Sequence, residues 1–182
     1  MIYWTKKGKS NTEGTVQAVL DRARELGTSD VVVASNSGET AQLFAGKGLN
    51  VSCITHHVGF TGPGEDEMAP EMRKKLQGLD IKLLTTTHLL AGVDRSLRNK
   101  FQGVYPAEIV SSTLRMLGQG FKVCVEISVM ALDAGLIPYG EEIIAVGGTG
   151  WGADTACVII PAHSSQFFDT VVKEIICMPR EK

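Results

Sequence analysis

Apolar positions along this chain follow two rhythms. Continuous apolar runs, rich in β-branched residues, occur at 30-DVVVA-34, 50-NVSCITH-56, 81-IKLLTTT-87, 142-EIIAVG-147 and 155-TACVIIP-161. Such runs predict strands covered on both faces. Helical spacing fills the intervals. Val16, Leu20 and Ala23 repeat at i, i+4 and i+7, so a helix is expected to start near Asn11 or Thr12, either of which can cap it, and to stop at Gly27. A short helix is expected from about Thr40 to Gly46 or Gly48, and another over 69-APEMRKKLQGL-79 with Pro70 in its first turn. Further helices are expected from Pro106 to about Leu117 and from Phe121 to about Ala134, with a last one over 164-SSQFFDTVVKEII-176. The segments 57–68 and 88–105 read as long connections.

Alternating helices and buried strands predict one three-layer α/β/α domain over 1–182, with a mainly parallel sheet. The loop 148-GTGWGAD-154 is too short for a parallel crossover. The fifth predicted strand should therefore run antiparallel to the fourth, as an edge strand or hairpin.

Composition then narrows the function classes. Apolar residues are 43%, charged residues 21% and the net charge is -2. This balance gives no broad attraction to nucleic acid or membranes, and no basic-aromatic stripe is present. The start of the chain lacks the apolar core of a signal peptide, and the apolar stretch around 123–137 is interrupted by Glu126 and Asp133. A cytoplasmic location follows as an expectation. Cys53, Cys124, Cys157 and Cys177 are too far apart for a CxxC pair, so they are expected to be small buried apolar residues. No metal site is expected.

Candidate chemistry lies at two loops. The stretch 35-SNSGETA-41 joins the first predicted strand to a helix. Free first-turn N–H groups, the hydroxyls of Ser35, Ser37 and Thr40, and the close approach allowed by Gly38 would make a phosphate cradle, with Asn36 beside them. A plain helix cap on Ser37 explains the same string, and Glu39 sits where an anion would go. The second loop, 147-GGTGWGADT-155, contains a dinucleotide-like G-x-G-x-x-A string over 148–153. That motif requires a following helix, and a strand follows here instead. Backbone N–H groups around Gly148, Thr149 and Gly150 can still form an anion nest, and Trp151 can stack on a ring. A simple hairpin turn is the alternative.

Other polar residues have two readings each. His56 and His57 end the second predicted strand and point to opposite faces, so one of them is a candidate for ligand contact or proton transfer. Thr55, Thr86, Thr87 and His88 occupy similar strand ends. Lys122, Glu126 and Asp133 fall within about 40° of each other on an otherwise apolar helix. They form either an exposed ridge with an i,i+4 ion pair, or a buried pair aimed into a crevice as acid–base groups. Arg95, Arg98 and Lys100 could clamp an anion or simply be solvated.

Taken together, 11-NTEGT-15, 31-VVVASNSGETA-41, 55-THHVGF-60, 98-RNKFQGVYPAE-108, 118-GQGFKVCVEISVMALDAGLIP-138 and 145-AVGGTGWGADTA-156 resemble the stand-alone pyruvate kinase α/β domain-containing proteins of archaea and bacteria. The resemblance covers nearly the whole chain. It is weaker toward pyruvate kinase itself, where it concentrates in the two loops. It implies a five-stranded sheet of order 3-2-1-4-5 with strand five antiparallel, and a phosphate held by Ser35, Asn36, Ser37, Gly38, Glu39 and Thr40, with Gly150, Trp151, Gly152 and Thr155 in the closing loop. In pyruvate kinase the chemistry lies in a barrel that this chain lacks, so no pyruvate kinase activity is expected. The cations that grip a sugar bisphosphate are not evident in these loops. The expectation is therefore a phosphorylated small molecule with a flat ring, such as FMN or another nucleotide, near Trp151 and Phe60. Two other readings stay open. One is an enzyme acting on a phosphorylated substrate through Lys122, Glu126 and a histidine (His56 or His57). The other is a structural or homo-oligomerisation domain with a vestigial pocket.

Overall fold

A computed structural model describes residues 1–181. Seven strands form one mixed sheet in the order β1-β7-β6-β5-β2-β3-β4. They are β1 Ile2–Trp4, β2 Asp30–Ala34, β3 Asn50–Thr55, β4 Lys82–Thr85, β5 Ile143–Gly147, β6 Thr155–Ile160 and β7 Val171–Pro179. The helices are α1 Thr12–Leu26, α2 Glu39–Gln42, α3 Pro70–Gly78, α4 Gly92–Phe101, α5 Pro106–Leu114 and α6 Gln119–Asp133.

The sheet is buried on both faces because its central strands are apolar at successive positions. Val31, Val33, Ile144 and Val146 pack with Val16, Val19, Leu20 and Ala23 of α1. Val32, Ile143 and Ala145 face the other way and pack with Val125, Ile127, Met130 and Ala131 of α6. Adjacent strand residues thus belong to opposite cores, as the two-residue period of a strand dictates. Gly27 ends α1 in the left-handed conformation (φ 67°). All four cysteines are buried and unpaired; burial pushes the Cys53 thiol up to about 12 and that of Cys177 to about 11.

The five expected strands are β2 to β6, and their order β4-β3-β2-β5-β6 is the one expected, with β6 antiparallel to β5. The expected sheet of five strands is too small. β7 pairs antiparallel with β6, and β1 pairs parallel with β7, so β6 is an interior strand. The segment expected to be a closing helix at 164–176 is instead a 3-10 turn at Ser164–Asp169 followed by β7. Val171, Val172, Ile175 and Ile176 lose side-chain freedom in a helix but pack well on a pleated sheet, and the free edge of β6 was there to receive them.

Two smaller corrections concern helices. The connection 88–105 contains α4. Neither Asn11 nor Thr12 caps α1 with its side chain. Asn11 Nδ2 donates to the carbonyls of Lys6 and Gly8, and the Thr12 hydroxyl donates to the Lys9 carbonyl and accepts from the Ala153 N–H.

Candidate functional site

β2 and β5 lie side by side in parallel, and the chain leaves them toward opposite sides of the sheet. The crevice beyond their carboxyl ends is the usual ligand position in such sheets. A cavity of about 340 Å³ occupies it. Its walls include Ser35, Asn36, Ser37, Glu39 and Thr40 after β2, and Gly148, Gly150, Trp151 and Gly152 after β5. The two glycine-rich loops therefore share one cavity, although their residues lie 108 to 117 positions apart along the chain.

The first loop turns sharply. Gly38 has φ 86°, and a Cβ there would stand 2.6 Å from Met72 Cγ and 2.9 Å from Leu76 Cδ1 of α3. Only glycine meets both demands. Its bare side thus faces α3, so Gly38 shapes the loop without lining the cavity. The Ser35 hydroxyl is buried and accepts weakly from the Ala41 N–H at 3.4 Å. α2 spans a single turn, so its dipole is small, and donors must come from the loop itself. Among the described residues, the N–H groups of Asn36, Ser37 and Gly38 meet no protein acceptor. Glu39 is exposed and lies 3.5 Å from Lys9 Nζ, so its charge is answered at the cavity rim.

The second loop is pinned from behind. Asp154 is fully buried and accepts from the N–H groups of Gly8 and Thr149 and from the Thr155 hydroxyl. Thr12 holds the Ala153 N–H at 3.1 Å. Thr149 is drawn toward Asp154 and out of the cavity wall, while Trp151 stands at the rim, 68% exposed.

The floor carries the charge. Lys122 and Glu126 are 6% and 4% exposed and form an ion pair one turn apart on α6. Of the two readings of this stripe, the buried one describes them; Asp133 lies outside the cavity and pairs with His163 at 2.8 Å. Glu126 also accepts from the Leu90 N–H at 2.8 Å. Burial holds the Lys122 ammonium below the usual lysine range; Glu126 opposes this shift, and Arg115 and Arg95 reinforce it. Burial likewise lowers His88.

On the β3 side the two histidines diverge. His56 lines the cavity; His57 turns out and bonds the Val58 carbonyl at 2.8 Å. The His56 N–H donates to Asn36 Oδ1, which orients the Asn36 amide so that its Nδ2 donates to His56 Nε2 at 3.2 Å. Its Nδ1 lies 2.5 Å from Glu67 Oε2. Both ring nitrogens are engaged, so His56 is held as a wall and stacks on Phe60 with centroids 3.7 Å apart. Thr55 bonds Thr85 and lines the cavity, whereas Thr86 is exposed and outside it.

Among the described residues, four cations reach this cavity: Lys9, Arg95, Arg115 and Lys122. Sequence reasoning named Arg95 and Lys122 but missed Lys9, Arg115 and Gln119. Arg115 sits in a 3-10 turn between α5 and α6, with its guanidinium on Ser111 and Gln119 at 2.5 and 2.6 Å. Nothing in the local string distinguishes it from a solvated arginine. Arg98 and Lys100 remain outside, on Glu108 and over the Phe101 ring. Among the described residues, no group of His, Cys, Asp and Glu could hold a metal ion, and no helix is long and apolar enough to cross a membrane.

Solved structures of pyruvate kinase from Cryptosporidium parvum are similar to this chain. One is 14% identical over 81% of this chain and 22% of that one, with a TM-score of 0.41. Another, in complex with ADP, is 15% identical over 92% of this chain and 24% of that one, with a TM-score of 0.40. The chain thus spans less than a quarter of the length of these enzymes. The family described as pyruvate kinase, alpha/beta domain matches residues 13–159, from α1 through nearly all of β6. β1 and β7, the two strands beyond the expected five, lie outside that match. On that match across most of its length, the chain belongs to the pyruvate kinase α/β domain family.

Proposed function

We propose that this protein binds a phosphorylated small molecule in the crevice between the β2 and β5 loops. One observation carries the reading. Arg95 and Arg115 line the cavity without a carboxylate partner among the described residues, while both acids of the cavity, Glu39 and Glu126, are already paired. A protein of net charge -2 therefore gathers unneutralised positive charge at one concave site. Free N–H groups in the first loop and the serine hydroxyls supply directed donors to phosphate oxygens, and guanidinium groups suit phosphate geometry. The cavity of about 340 Å³ suits a small ligand. Phe60 and Trp151 provide ring surfaces at its mouth, which supports a mononucleotide such as FMN.

Calorimetric titration with FMN, and with inorganic phosphate for the phosphate subsite alone, tests the reading. Binding that weakens in Arg95→Ala and Arg115→Ala and disappears in Ser37→Asp, where a carboxylate meets the phosphate, is expected. Absence of binding for both probes, or full affinity in Ser37→Asp, refutes it. Saturation by phosphate but not FMN retains the phosphate subsite and removes the flavin.

A further inference from the structure

We infer that Lys122 is a nucleophile that forms an iminium link with a phosphorylated aldehyde or ketone bound in the crevice. The inference rests on the phosphate reading above and adds to it a covalent step. A lysine ammonium has three N–H groups, and Glu126 is the one acceptor at Lys122 Nζ among the described residues. The side chain is 7% exposed, and the residue lines the cavity. Its surroundings favour a reactive amine: burial on a largely apolar helix holds the ammonium below the usual lysine range against the pull of Glu126, and the Arg115 and Arg95 guanidinium groups add to the lowering. Lys9, the other lysine of the cavity, is exposed at the rim and paired with Glu39.

Glu126 supplies the proton transfers. Its carboxylate touches the ammonium and is fixed by the Leu90 N–H, so it does not swing away. It takes one proton from the ammonium. The amine lone pair attacks the carbonyl carbon, and the carbonyl oxygen takes that proton to give a carbinolamine. Glu126 then removes a second proton from nitrogen and returns it to the hydroxyl, which departs as water. The C=O bond is replaced by C=N, one water is released, and the positive charge stays on nitrogen. Arg95 and Arg115 would hold the phosphate while this occurs.

The wild-type protein is incubated with dihydroxyacetone phosphate and cyanoborohydride, and adducts are located by peptide mass mapping. Glycerol 3-phosphate, which has no carbonyl group, serves as competitor and as calorimetric ligand. The expected result is one reduced adduct, on Lys122, lost in excess glycerol 3-phosphate and in Lys122→Arg. Glu126→Gln should form it more slowly while still binding glycerol 3-phosphate, which separates lost proton transfer from lost folding. No adduct, or adducts spread over exposed lysines such as Lys47 and Lys75, overturns the inference. If glycerol 3-phosphate binds and no adduct forms, the iminium fails while the phosphate reading stands. If neither occurs, both fail. A Lys122 adduct that glycerol 3-phosphate does not suppress keeps the nucleophile and removes the phosphate.

Discussion

At the scale of single residues, Lys122 and Glu126 dominate. Two opposite charges are nearly withdrawn from water on a helix whose neighbours are apolar. Removing one leaves the other buried without its partner, which costs about 3 kcal/mol or more. Lys122→Met should therefore lower the urea midpoint strongly, whereas Lys122→Met combined with Glu126→Leu should recover most of the loss. Equal destabilisation in the single and double variants would mean that the pair does not act as a unit. His88 lies beside them and faces Glu126, His56 and Lys122. Burial lowers it from the ordinary histidine value of 6.5. Below about pH 6.5 the unfolded chain binds a proton at this position that the folded chain refuses. Stability is thus complete above that pH and falls on acidification toward the lower folded value. Denaturation midpoints between pH 7 and 5 should show this slope, and His88→Gln should flatten it.

At the scale of elements, the second loop depends on α1. Thr12 opens α1, yet its hydroxyl spans the Lys9 carbonyl and the Ala153 N–H, so the helix start holds the β5–β6 connection. Space there is tight: a Cβ on Gly152 would lie 2.4 Å from Thr12 Oγ1. Thr12→Val keeps the shape and removes the polar link, at about 1 kcal/mol. Amide exchange should then quicken at 148–153 while β2 and β5 stay protected. Unchanged exchange would show that Asp154 alone suffices. α4 shows why a helix escaped the sequence reading. Val93 and Phe101 are exposed, so its apolar residues do not pack as a core stripe, and the glycines and charges around it resemble those of a loop. Arg95 thereby gains a helical position over the Phe60 ring, at 5.7 Å.

At the scale of the whole molecule, β1 and β7 extend the sheet beyond the family span. β7 has nine residues and would be a long open edge if β1 did not cover its Cys177–Pro179 end. β1 has three residues, and a short edge strand offers little for another chain to pair with. Deleting residues 1–4 should uncover paired backbone groups of β7 and promote association, read as increased light scattering at rising concentration. A deletion variant that scatters no more than the full chain would show that β7 is shielded in another way.

The sequence by itself determined the doubly covered strands, the reversal of β6, and the two loops as candidate binding elements. These follow from local composition and from what a connection of given length can span, whereas the strand order from β4 to β6 was what the family resemblance implied. Only the tertiary structure decided that Lys122 and Glu126 are buried, that Lys9, Arg95 and Arg115 join them, and that Thr86, Thr149 and His57 stand aside. The reason is physical. Periodicity reports which face of an element is apolar, but a charged side chain reads the same whether it meets water or a cavity wall. Its surroundings are set by other elements, here by α4, the 3-10 turn at Arg115 and the segment before α1. The same limit explains β7: the β-branched pattern of 171–177 was ambiguous until the open edge of β6 supplied its partner.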